Sequence, residues 1–366
     1  MSLVKKNEWW EETRNFKKTV KEEYLDINET LAELENNSSV IRLELNTIEL
    51  PLFSKDPKRI KNQIKIYHFK TDKSSYLEIE APANYSIPGE FEERVFIALT
   101  KIMKNNNYSR SFVVSANEIL ETLGLSNKAY YKRIREALTL LSKTNYTFLN
   151  SLYSNKESGI IEKKIISSIM NITIISKKDS RAKEIEAFED GRIKEVYEIN
   201  FTDYFYENII RKWYLAFDSG KLLAIENSVS RAIYTIVEKW RGYDLYIKRQ
   251  AFFIARRIPL KWDKTQIKRT IDTMEKALIE LRNLNLIKNY KIIKEKKWEL
   301  AEIEITYEES HNKTKRDTFF TEKNEFNSMD MLVTSTEEKI KCISEDFHSG
   351  EISEILNMFP EKVLEM

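Results

Sequence analysis

Apolar residues recur along much of the chain at intervals of three and four, the spacing that lines one face of a helix. The stretch "EFEERVFIALTKIMKNN" (90–106) sets Phe91, Val95, Leu99 and Ile102 on one side. In "SNKAYYKRIREALTLLSKTNY" (126–146) the stripe is Tyr130, Ile134, Ala137, Leu138 and Leu141. "SVSRAIYTIVEKWRG" (228–242) is amphipathic, "IKRQAFFIARRIPL" (247–260) predicts a short helix ending near Pro259, and "DKTQIKRTIDTMEKALIELRNLNLI" (263–287) predicts a long one on Ile267, Ile271, Met274, Leu278 and Leu281. Elsewhere the period drops to two. "SSVIRLELNTIELPLF" (38–53) and "QIKIYHFKTDKSSYLEIEAP" (63–82) alternate with β-branched and aromatic enrichment, as do 159–178, 195–202 and "NYKIIKEKKWELAEIEITY" (289–307), so these predict strands.

The order of these elements carries information. A polar start at Ser115, a short apolar helix through Leu123, Gly124 as C-cap and Ser126 as N-cap lead into the helix of 126–146. Helix, tight turn and cationic helix, followed by a hairpin, is the sequence form of a helix-turn-helix with a wing. Helix, helix, helix, hairpin recurs about 140 residues later without useful identity between the copies. The expectation is a helix-rich α+β fold of two tandem winged-helix domains: a helical N-terminal arm at 1–45, a first winged-helix domain with N-terminal strands at 46–200, a second at 201–307, and an acidic, largely disordered tail at 308–366 with a short helix at its end. In the arm, Phe16, Val20, Tyr24, Ile27, Leu31 and Leu34 have partial helical spacing, which suits either a solvated helix on the body or a dimer-forming one.

Charge changes the picture through its distribution. The chain of 366 residues has a formal net charge of only +2. Yet residues 101–180 carry 13 basic and 6 acidic side chains, residues 241–300 carry 16 and 7, and residues 301–366 carry 7 and 16. Two basic regions and an acidic tail supply the local positive field that a polyanion requires. A lone cysteine, Cys342, excludes an internal disulfide and a cysteine zinc site. The N-terminus has no apolar signal region and no stretch nears the length of a membrane span, so a cytoplasmic protein without membrane contact is expected.

The cations fall on the faces opposite the apolar stripes. Lys128, Lys132 and Arg135 lie there on the first helix; Lys268 and Arg269, with Lys264, Thr265 and Gln266 at the leading end, lie there on the second. Flexible lysines suit phosphates, and Lys128, Lys132, Lys163, Lys164, Lys177, Lys178, Lys291 and Lys294 are assigned that role. Asn127, Tyr131, Arg135, Gln266 and Arg269 have planar or forked groups able to read base edges. A solvated face would explain one such helix; two, each followed by a hairpin with "EKK", favour double-stranded DNA as the partner. Tyr130, Trp213, Trp240 and Trp298 fall in apolar patterns and are expected in the core or at wing roots. The acidic pairs Glu92-Glu93 and Glu337-Glu338 read as helix surface without partners.

Chemistry is expected to be absent. Tyr130-Tyr131 lacks the histidine-held metal that a nicking tyrosine uses, since His68, His311 and His348 stand in unrelated contexts. No glycine-rich phosphate loop ending in Lys-Ser or Lys-Thr occurs, so neither ATPase activity, a cofactor nor a metal is expected.

With these residues in view, the chain resembles the replication initiator protein A family of bacterial plasmids and phages. The likeness rests on "FEERVFIALTKIM" leading to "SANEILETLGLSNKAYYKRIREALTLL", and above all on "INFTDYFYENIIRKWYLAFDSGKLLAIENSVSRAIYTIVEKW" (199–240), and covers about 50–307. It implies tandem winged helices without a catalytic site, binding to repeated origin sites, and recruitment of the host replicative helicase or its loader. A homodimer is a further partner state that it suggests. A winged-helix transcriptional regulator, a protein-interaction module and a metal-dependent nickase are the competing readings.

Overall fold

Alternation alone cannot say where β1 ends, because Val40–Glu44 (β1) is buried at every position. The chain turns into a helix at once, Leu45–Glu49 (α1), since the Glu44 carboxylate accepts from Thr47 N at 3.0 Å and caps it. The long strand expected over 38–53 is therefore short, and the last residues of the expected helical arm are β-structure. The computed structural model describes residues 39–312, apart from residues 70–72, 158, 190, 212, 263, 264 and 295. The remainder of the arm, the acidic tail beyond 312, Lys264 and Glu337-Glu338 lie outside the described residues. The fold is mixed α and β.

A first series begins with Glu90–Asn105 (α2), whose Phe91, Val95, Leu99 and Ile102 are all buried as the spacing requires. Ser111–Val114 (β4), Ala116–Thr122 (α3) and Tyr130–Lys143 (α4) follow. Ser115 caps α3 by accepting from Glu118 N at 3.1 Å, and Gly124 with φ +68 closes it, both as expected. The expected N-cap Ser126 is a correction. Helix α4 starts at Tyr130, because the Asn127 side chain accepts from Ala129 N at 2.9 Å and folds the preceding residues into a turn.

After α4 the chain leaves the series for Asn145–Leu149 (β5), Tyr153–Ser154 (β6), Gly159–Ile160 (β7) and Lys164–Ser167 (β8). Strands β5 and β8 extend the hairpin of Ile64–His68 (β2) and Tyr76–Glu80 (β3) into an antiparallel sheet ordered β2-β3-β5-β8. Only then do Met170–Ser176 (β9) and Glu195–Phe201 (β10) form the hairpin, with β4 as its third strand in the order β4-β10-β9. The single strand expected over 159–178 is thus several. At its break, Thr202 Oγ1 bonds the carbonyls of Ser168 and Ile169 and holds the crossing between sheets.

The link to the second series is Asp203–Ile210 (α5), Tyr214–Asp218 (β11) and Ser219–Ala224 (α6). Strand β11 pairs antiparallel with β1, Arg42 opposite Ala216, so the link is sewn to the start of the described chain. Ser228–Arg241 (α7), Tyr246–Gln250 (β12), Ala251–Arg257 (α8), Ile267–Asn283 (α9), Asn289–Ile293 (β13) and Glu302–Thr306 (β14) complete the fold. Their sheet runs β12-β14-β13. Both series therefore read helix, strand, helix, helix, strand, strand, with the first strand beside the last. The α9 stripe of Ile267, Ile271, Met274, Leu278 and Leu281 is buried throughout.

Buried charge joins the parts. Glu93 of α2 accepts from Lys55 Nζ at 2.6 Å and from Arg231 Nη1 of α7 at 3.0 Å, and Arg231 also donates to Ile225 O at 2.8 Å. Glu92 meets Arg59 at 3.0 Å and accepts from Gly89 N at 2.8 Å. The surface reading of Glu92-Glu93 is overturned: the helical period places them beside the apolar stripe, and cations distant in sequence compensate them. Lys239 of α7 pairs with Glu49 of α1. Glu280 of α9 accepts from Glu226 N at 2.7 Å and Asn227 N at 3.2 Å, serving as a cap lent to α7 by another helix.

Strand β10 is covered on both faces. Tyr197, Ile199 and Phe201 point to the helices, while Val196 joins Ile175, Ala182 and Phe188 in a second small cluster under the 177–194 connection. That connection makes two 3₁₀ turns, Ser180–Glu184 and Glu186–Phe188, and so is folded back on the hairpin. Phe188→Ala should loosen it at a cost of about 3 kcal/mol, the low end of the range for deleting a buried aromatic because a surface cluster can close up. Hydrogen exchange would show the loss confined to residues 175–196, with α2 and α7 protected as before.

Candidate nucleic-acid interface

The cationic faces survive folding, but several of their groups are engaged. Lys128, in the turn before α4, and Lys132, on it, are exposed, and Lys132 lies 4.0 Å from Glu136. Tyr131 donates from its hydroxyl to Asn117 Oδ1 of α3 at 2.8 Å. Asn127 spends its carbonyl oxygen on the turn before α4. Arg135 lies 3.3 Å from Glu195 at the start of β10. Arg133, on the same helix, covers the Phe91 ring at 4.0 Å, and Tyr130 is half-buried and stacks on that ring, as its place in the apolar stripe requires.

The second face is more open. Thr265 and Gln266 precede α9, with Gln266 at its N-cap, and Lys268 and Arg269 are exposed in its first turn. Neither Lys268 nor Arg269 has an ion pair among the described residues. The turn is anchored from below, where Thr270 Oγ1 donates to Lys261 O at 2.5 Å. Helix α9 has no acid in its first turn. Its leading N–H groups and these cations together make the region attractive to anions.

The hairpin lysines separate. Lys177 and Lys178 are exposed at the end of β9, where Lys177 N donates to Lys194 O at 2.9 Å, so they sit on the first hairpin. Lys163 and Lys164 are exposed but lie before and on β8, in the other sheet, and are not brought to that hairpin. On the second hairpin Lys291 is exposed opposite Glu304 in register, and Lys294 places its ammonium 4.7 Å from the Trp298 ring. Trp298 and Trp240 are half-buried, and Trp213 is buried and stacked on Tyr153 at 3.7 Å.

Two residues of this surface escaped the sequence reading. Glu195 reaches Arg135 only through the β9-β10 register, and Arg181 forks onto Glu198 through Nη1 and Nη2, each at 3.2 Å. Both pairings span elements, and helix periodicity carries no trace of them. No group of three or more metal-ligating side chains occurs among the described residues, and no helix among them is long and apolar enough to cross a membrane.

The sequence profile described as Replication initiator protein A matches residues 42–247, more than half of the chain, and the chain belongs to that family. Among solved structures, a selenomethionine crystal structure of domains 2 and 3 of RctB is 13% identical over 72% of this chain and 97% of that one, with a TM-score of 0.49. The crystal structure of the Pi initiator protein in complex with iteron DNA is 14% identical over 60% of this chain and 90% of that one, with a TM-score of 0.40. No curated protein matches in sequence.

Proposed function

We propose that the protein is a sequence-specific, double-stranded DNA-binding initiator of plasmid or phage replication that acts at repeated origin sites through two winged-helix units in tandem. The observation that carries this reading is the repeated series. Each copy puts cations on the outer face of its third helix, α4 or α9, and follows with a hairpin whose second strand pairs with the first strand of the same series. Family membership supports replication as the setting. The reading assigns the protein no catalytic step, no cofactor and no metal; its work is binding, in the cytoplasm, with the host helicase or its loader and a second copy of the chain as the partners implied by the family.

Helices α4 and α9 enter major grooves, and Arg135 and Arg269 read bases while Lys128, Lys132, Lys177, Lys178 and Lys268 hold phosphates. The test is footprinting on DNA flanking the gene, with random DNA as competitor and several salt concentrations. Arg135→Ala and Arg269→Ala should each weaken the footprinted site by about 1–3 kcal/mol. Lys132→Ala should weaken all DNA alike and lower the log–log salt slope by about 0.9. Flanking DNA bound no better than random DNA would overturn the reading.

A further inference from the structure

The first cationic face carries a negative charge in a fixed place. Glu195 opens β10 opposite Ser176, at the loop end of the hairpin, and its carboxylate is gripped from two sides. The hydroxyl of Tyr197, a buried residue, donates to Oε1 at 2.5 Å, and Arg135 Nη1 lies 3.3 Å from Oε2. The Tyr197 hydroxyl is held protonated by burial and by this carboxylate, which push its ionisation far upward. Tyr197 thus gives Glu195 an anchor independent of Arg135. About a third of its side chain is still exposed, at 30%, and half of that of Arg135, at 53%, so the pair sits at the surface that would meet DNA.

An exposed pair of this kind adds little to stability, about 0–1 kcal/mol. Its consequence is for binding. A guanidinium has five donors in a rigid fork. Contact with Glu195 through Nη1 leaves the rest of the fork for a guanine edge, which offers two acceptors in one plane. A phosphate approaching Arg135 from the Glu195 side instead meets a carboxylate that Tyr197 also holds in place. Like charges brought together at a partly desolvated contact are a recognised device for rejecting wrong partners.

We infer that Glu195 is a specificity-determining residue: it aims Arg135 at a base and penalises the phosphate-only contacts through which random DNA would bind. The inference rests on the DNA-binding reading above. It makes Glu195 a positioning residue acting through Arg135, and it gives a role to an acid held beside a largely cationic face. Lys132 and Glu136, 4.0 Å apart and both exposed on the same helix, have no such grip from a buried group and take no part in the selection.

The experiment uses the full chain and two probes, a duplex that the wild-type protein enriches from a randomised pool and a random-sequence duplex of equal length. Glu195→Gln keeps an acceptor for Arg135 and Tyr197 but removes the charge. Random-duplex affinity should rise about tenfold, the enriched duplex should gain far less, and the ratio between them should fall about tenfold. The salt slope on random DNA should steepen by about 0.9 as Arg135 becomes free to engage a phosphate. In the background of Arg135→Ala, Glu195→Gln should no longer change the ratio. Equal tightening on both probes would show a general charge effect and overturn the inference, as would no change on either. Failure of the wild-type protein to enrich any duplex would overturn the DNA-binding reading itself, a result separable from the other two. A thermal melt of each variant, expected within a few degrees of wild type, guards against reading misfolding as lost binding.

Discussion

Arg231→Met should lower the unfolding free energy by about 3–5 kcal/mol in urea, with an unchanged m-value. The Arg231 side chain is 1% exposed and that of Glu93 13%, so removal of the guanidinium leaves a largely buried carboxylate with Lys55 alone and strands Ile225 O without its donor. Burial drives the Glu93 carboxyl upward, but Lys55 and Arg231 together more than offset it and hold it below its usual range. The sign follows: the depressed group contributes stability above its unfolded value of about 4.3, and that contribution is lost as pH falls through the folded one. Arg231→Met should therefore flatten the acid limb of the stability profile. Replacement of all three charges, Lys55→Met, Glu93→Leu and Arg231→Met, should cost less than Arg231→Met alone, because no unpaired charge then remains inside. If the triple variant is the less stable, the triad is a net source of stability.

The second large effect is the opposite in pH. Glu44 is buried at the meeting of β1, α1 and α5, where its carboxylate accepts from Asn46 Nδ2 at 2.7 Å, Asn208 Nδ2 at 2.8 Å and Thr47 N at 3.0 Å. Desolvation outweighs these donors and pushes the carboxyl up to about 8. A raised acid binds its proton more tightly in the folded state, so its contribution is complete below the unfolded value of about 4.3 and is lost as pH rises through about 8. The loss approaches 1.4 kcal/mol per pH unit at its steepest and sums to about 4–5 kcal/mol. Stability of the wild type relative to Glu44→Gln should fall across pH 5 to 8. A difference independent of pH would mean that the three donors keep Glu44 ionised.

The parts legible in the sequence were those that a period can encode. Phe91, Val95, Leu99 and Ile102 on α2, and the stripes of α4 and α9, are core because each repeats its face several times within one element. Strands β4 and β12 were missed. Each is only four or five residues long, and "YIKRQ" buries just Ile247 fully, so its pattern is too brief to separate from the helix that follows. The β1-β11 pairing was invisible because register between distant strands leaves no local mark. The same limit governs the candidate interface. The cations of α4 and α9 could be seen on their helices, whereas the separation of Lys163 and Lys164 from the first hairpin required knowing that the chain changes sheets at Ser168. The block at 199–240 is intelligible once folded, since it supplies Asn208 to Glu44, Trp213 to Tyr153 and Arg231 to Glu93.

The pairing of β1 with β11 has a consequence on the ribosome. Val40, Ile41 and Leu43 leave the exit tunnel about 175 residues before the strand that will cover them, which at 5–20 residues per second is a wait of roughly 10–35 seconds. Through that interval the β4-β10-β9 hairpin unit can close by itself, while β1 trails as an unpaired apolar edge. The nascent chain thus completes α4 before the seam between β1 and β11 can form.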